Sequence, residues 1–159
     1  MQPLVKQHLE SLRKTLMDVI VPELGKNSFV AEQAGLIAAS LALLAEVQPY
    51  QDDYLRVELA DLRKALAILG APADLRVPAG RDALVEAVTD AKAALSARIA
   101  ESAQANGGTL PPDQRTALAP LLDRQMAREC SWSRLTGFNP AGASLPAIGE
   151  LLEQQRSAT

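Results

Sequence analysis

The sequence predicts an all-α fold, a four-helix-bundle-like core with a kinked C-terminal helical extension, and three observations predict it. The apolar residues are mostly Ala and Leu, while aromatics make up only 3% of 159 residues. Ala and Leu favour helices, whereas sheet interiors favour β-branched and aromatic side chains. Apolar positions recur at steps of three and four, which places them on one face of a helix. Pro and Gly then punctuate the pattern between segments. A chain of this length can bury about two thirds of its unfolded surface around one core. A single helical domain over 1–159 is therefore expected, with its core at 3–106 and the extension at 111–156.

The first helix is expected from Pro3 to Val21, where Val5, Leu9, Leu12, Leu16 and Val19 share a face and Pro22 and Gly25 break the pattern. Ser28 can cap the second, which runs to Val47 with no charge between Glu32 and Glu46. A helix apolar all round is expected to be buried, so this one is read as the central helix. Its Ala31, Gly35, Ala39 and Ala42 lie close to one side, where small side chains let a neighbour approach. Pro49 is read as a turn, and Asp52 or Asp53 as the cap of a third helix. Leu55, Leu59, Leu62, Leu66 and Leu69 form a heptad seam on it, ended by Gly70 and Pro72. The seam suits bundle packing or a dimer interface.

Residues 71–80 read as a linker. The fourth helix is expected over Arg81–Asn106, with Leu84, Val88, Ala91, Leu95 and Ile99 inward, and Asn106-Gly107-Gly108 stops it. A fifth runs from Asp113 to about Arg134, kinked or restarted at Pro120. Leu118, Leu121, Leu122, Met126 and Trp132 would face the bundle. After the loop "TGFNPAGAS", Ser144 opens a short helix with Ile148, Leu151 and Leu152 on its apolar side.

Composition excludes several chemistries. Net charge is −3, with 11 basic and 14 acidic residues in 1–110 and 5 of each in 111–159. Neither part has the basic excess that binding a phosphate backbone demands, so no nucleic-acid partner is expected. One cysteine makes no internal disulfide, which suits a reducing compartment. The N-terminal stretch lacks the pattern of a signal peptide. The most apolar uncharged run, Gln33–Ala45, falls short of the ~20 residues of a membrane span. The expectation is a soluble cytoplasmic protein without a membrane span.

No metal, cofactor or catalytic constellation emerges. His8 is the only histidine, so neither a zinc cluster nor the Glu-x-x-His pairs of a di-iron bundle can be assembled. Cys130, between Met126 and Trp132, reads as a small buried hydrophobe. Phosphate-binding glycine motifs and a nucleophile elbow are missing. Glu58 and Asp61 share a helix side with Arg63 and Lys64 following, the pattern of a solvated face. Arg124 and Arg128 lie one turn apart, with Arg134 further along, and could hold a carboxylate or phosphate. Asp123 and Glu129 could equally neutralise them.

The stretch "ECSWSRLTGFNP" holds the only Cys, the only Trp and one of two Phe residues. Trp132 and Phe138 are expected to bracket the end of the fifth helix and clamp the C-terminal segment. Alternatively they form, with Arg134, the rim of an apolar pocket with one cationic handle. Tyr50 and Tyr54, one turn apart, are candidate interface anchors beside Leu55, Leu59, Leu62 and Leu66.

In "VIVPELGKNSFVAEQAGLIAASLALLAE", the residues Pro22, Leu24, Gly25, Phe29 and Ala31 carry a resemblance. The first seventy residues resemble small helical bacterial proteins of unknown function encoded beside aminoglycoside-phosphotransferase-like kinases and acyl-CoA dehydrogenases. The basic residues usual after the glycine are reduced here to Lys26. The resemblance carries no catalytic residue across and implies a companion role near acyl-thioester metabolism. The expected function is thus a non-catalytic accessory or protein-interaction bundle, self-associating and acting with an enzyme partner. The alternative is a small-molecule binding protein with an apolar, acyl-accepting pocket near Trp132.

Overall fold

The computed structural model describes residues 4–25, 27–72, 76, 78–136 and 141–157, and every regular element among them is helical. Contacts divide the chain into two compact units. The first comprises Met1–Gln51 with Glu129–Leu151, and the second Asp52–Arg128 with Leu152–Thr159. Each takes a piece from both halves of the sequence, so the units do not divide at Gly107-Gly108.

In the first unit, α1 (Val5–Thr15) continues through a wider π turn at Leu16–Ile20 and ends over Val21–Glu23. Pro22 therefore lies inside the helix rather than breaking it. The wide turn directly precedes it, where the proline ring and missing N–H disfavour a regular turn. Gly25, at φ +63°, provides the left-handed exit. The next helix, α2 (Ser28–Val47), is capped by Asn27 and not by Ser28, with the Asn27 side chain accepting from the Val30 N–H at 3.3 Å.

No turn forms at Pro49. The chain tightens into a 3₁₀ turn over Gln48–Tyr50 and runs on as α3 (Gln51–Ile68), so helical backbone is continuous from Ser28 to Ile68. Proline is tolerated there because the early positions of a new helical turn need no N–H donor.

The interior of α2 corrects the expectation of a central buried helix. Only Ala34, Ala38, Ala45 and Val47 are buried. Its large residues point out: Phe29 is 67% exposed, Leu36 56% and Ile37 54%, with Leu44 and Val30 also exposed. Gly35 has open space around its Cα, so no helix approaches it closely. On α1, Leu9 and Leu16 are half-buried while Val5, Leu12 and Val19 remain exposed.

The second unit has a conventional apolar interior. Leu59, Leu66, Leu84, Val88 and Ala91 form its core, with Leu55, Leu62 and Leu95 packed against it. These side chains come from α3 and α4 (Arg81–Ala105). The leucine seam of α3 is thus engaged within the chain. Arg98 Nη2 donates to the Leu69 carbonyl at 2.9 Å beside Gly70, at φ +72°, and so closes the C-terminal end of α3.

Helix α5 (Pro112–Trp132) runs through Pro120 without interruption, and α6 (Ile148–Ser157) closes the chain. The inward face of α5 agrees with expectation only in part: Leu118, Leu121 and Trp132 are half-buried. Leu122 and Met126 are exposed, whereas Arg128 and Ser131 are buried and Arg124 and Gln125 half-buried.

Candidate functional site

A polar network fills part of the second unit. Asp61 is 4% exposed and Arg128 0%. Glu58 is buried beside them, one turn earlier on α3. Asp61 Oδ2 accepts from Arg128 Nη1 at 2.6 Å and from Arg124 Nε at 3.1 Å. Arg128 Nη1 also donates to Gln155 Oε1 at 2.7 Å, and the Gln155 amide donates to the Arg124 carbonyl at 3.0 Å. Gln125 Nε2 donates to Glu58 Oε1 at 3.0 Å, and Lys92 Nζ lies 2.8 Å from the same oxygen. The Arg128 guanidinium sits 6.0 Å from the Tyr54 ring centroid, within cation–π range.

This arrangement answers to charge burial. A carboxylate removed from water is tolerable only with close cations and hydrogen bonds, and Asp61 has two guanidinium groups on one oxygen. Satisfaction is incomplete: Asp61 Oδ1 and Arg128 Nε have no hydrogen-bond partner among the described residues. Both arginines direct their forks at groups of this chain. Glu58 and Asp61 are not a solvated face, because residues 34 to 67 positions away draw them inward.

The other arginine in the candidate ligand set lies in the first unit. Arg134 holds Glu46 bidentately, Nε to Oε1 at 2.7 Å and Nη2 to Oε2 at 2.9 Å. Trp132, the last residue of α5, is half-buried, as is Cys130, and Phe138 lies outside the described residues. The candidate set therefore falls into two groups, Trp132 and Arg134 in one unit, Arg124 and Arg128 in the other.

Beside Arg134 is an open cleft of about 420 Å³. Ala42, Ala45 and Ala147 give it small apolar walls, and Tyr50, Lys6 and Arg13 line it too; Trp132 does not. A methyl group on Gly149 would sit 2.6 Å from the Tyr50 ring, so the glycine is what leaves room for that ring. Tyr54 belongs to the second unit, within 3.4 Å of Gln125 Nε2. No cluster of three or more His, Cys, Asp or Glu side chains suited to a metal occurs among the described residues.

The remaining surface feature is the stripe on α2. Phe29, Val30, Leu36, Ile37 and Leu44 fall on one side of a 3.6-residue helix, interrupted only by Gln33 and Ser40. The continuous helix Ser28–Ile68 is long and apolar enough to cross a membrane, by length and composition alone. Counting only uncharged residues concealed this, because isolated acids at Glu32 and Glu46 do not end the apolar character.

Periodicity was silent on the stripe, since α2 is apolar on every side. The signal that could have found it is size: alanines gather on one face and large residues on the other. The chain matches no protein-family model, no curated protein and no solved structure.

Proposed function

We propose that the chain is a non-catalytic protein-interaction component, self-associating and acting beside an enzyme partner, with the α2 stripe as its working surface. The observation that carries this is the inverted sorting of α2, alanines inside and Phe29, Leu36, Ile37 and Leu44 in solvent. Exposed apolar residues scattered singly need no explanation, but a contiguous stripe of large ones marks an interaction site. The companion role rests on the resemblance carried by Pro22, Leu24, Gly25, Phe29 and Ala31. A cytoplasmic location accords with the single cysteine and with acids, not Lys or Arg, flanking the apolar length of α2.

The cleft beside Arg134 favours a second reading, a binding site for a small carboxylate with an apolar body. Its volume lies in the usual ligand range of ~300–1,000 Å³. Arg13 in its lining has no hydrogen-bond or ion-pair partner among the described residues.

Native mass spectrometry on protein purified gently from its source separates the two. The interaction reading expects a stoichiometric protein companion, a second copy included, that disappears in a Leu36→Glu, Ile37→Glu variant. A lone chain carrying a small bound mass, lost on Arg13→Ala and unaffected by the stripe substitutions, would replace it with the second reading.

A further inference from the structure

We infer that the occupant of the α2 stripe is the α2 stripe of a second copy, packed antiparallel about a twofold axis between Leu36 and Ile37. This rests on the stripe being an interaction surface and adds its partner and register.

The first support is self-complementarity. A twofold interface pairs residue i with j and j with i. Centred between Leu36 and Ile37, an antiparallel pairing sets Phe29 against Leu44, Val30 against Leu43 and Leu36 against Ile37. The two polar positions then meet each other, Gln33 opposite Ser40. Polar side chains matched in this way can hydrogen-bond across the seam and fix its register, as a buried Asn does in coiled coils. No charged residue lies on the stripe, so identical surfaces meet without like-charge repulsion.

The second support is area. Taking roughly 150–250 Å² for a large side chain, the exposed fractions of Phe29, Val30, Leu36, Ile37 and Leu44 come to on the order of 450 Å² per chain. A standard interface buries ~800 Å² per partner, about 60% of it apolar. The stripe nearly meets that apolar share alone.

The third is charge. A helix that lies on an anionic bilayer presents Lys and Arg around its apolar face. Between Ser28 and Val47 there is none, only Glu32 and Glu46. A protein surface suits α2 better than a lipid one.

The test uses the full-length chain with Cys130→Ala, in sedimentation and oxidative cross-linking. The inference expects a dimer at micromolar concentration, with Leu36→Glu plus Ile37→Glu raising the dimer dissociation constant more than ~100-fold while circular dichroism stays unchanged. A single Ile37→Cys should link two chains readily. A single Phe29→Cys should not, because antiparallel equivalents at that position lie about 22 Å apart along the helices. Efficient linking through Phe29→Cys would overturn the register. A wild-type monomer would overturn the second copy as occupant. If that monomer floats with phosphatidylglycerol vesicles, or holds a different protein that the Glu substitutions release, the stripe remains an interaction surface and only this inference fails. A monomer showing neither behaviour would remove both.

Discussion

The two units of this chain solve the problem of burial in opposite ways. In the second unit, leucines and a valine from α3 and α4 form the interior, and charged groups that enter it arrive in pairs. In the first, the buried face of α2 is alanine but for Val47, and Phe29, Leu36, Ile37 and Leu44 stay in water. Alanine buries little area, so its contribution per residue is small against the ~1.5–3 kcal/mol of a fully buried Leu or Ile. The second unit is self-sufficient in apolar contact, and the first keeps its largest apolar residues available for something else.

The sharpest way to break this comparison is at the ionic network, where the largest loss is expected. Asp61→Ala leaves the Arg124 and Arg128 guanidiniums side by side without their shared anion. Removing one partner of a buried pair costs about 3–5 kcal/mol, largely because the remaining charge stays buried. Urea unfolding should show that loss. Adding Arg128→Met to Asp61→Ala should recover much of it, since an apolar side chain tolerates the site that an unpaired cation does not. A loss under ~1 kcal/mol for Asp61→Ala would mean the arginines reach water, as exposed pairs do.

A smaller contrast separates the leucines of the two units. Leu59 is 2% exposed, and Leu59→Ala should cost about 2–5 kcal/mol. Leu62, half-buried at the edge of the same cluster, should cost less on the same substitution. Leu36→Ala, measured at concentrations where the chain is monomeric, should change stability by under ~0.5 kcal/mol, the level of a surface substitution. Equal losses at Leu59 and Leu36 would erase the distinction between the units.

How much of this was legible in the sequence follows from how local each cause is. The helical class was legible, because Ala and Leu act residue by residue. The inward face of α3 was legible too, because Leu59, Leu62 and Leu66 repeat within one helix. The network was not: Glu58 and Asp61 meet Gln125, Arg124 and Arg128 63 to 67 positions away, and no local pattern announces such pairing. For the same reason the inward face of α5 was legible only in part, in the half-buried Leu118, Leu121 and Trp132. Hydrophobic spacing selected Leu122 and Met126, while the fold buries Arg128. Asn27 displaced Ser28 as the cap of α2 because either residue type suits that position and the two are adjacent. In the candidate ligand set, spacing alone could not tell that Arg134 would bind Glu46, 88 positions away.

The smallest expected effect has the opposite sign. Gly35 lies within α2 with nothing inside 4 Å of the position a Cβ would take, and on a 3.6-residue helix it falls outside the Phe29–Leu44 stripe. Glycine in a helix interior loses backbone freedom on folding without contributing a side chain, so Gly35→Ala should stabilise the chain by about 0.5–1 kcal/mol. Self-association should be unchanged, because the added methyl group points away from the proposed seam. If Gly35→Ala instead weakens the dimer, a neighbour must approach the glycine closely. The partner would then sit on the small-residue side of α2, and its large side chains would need a different occupant.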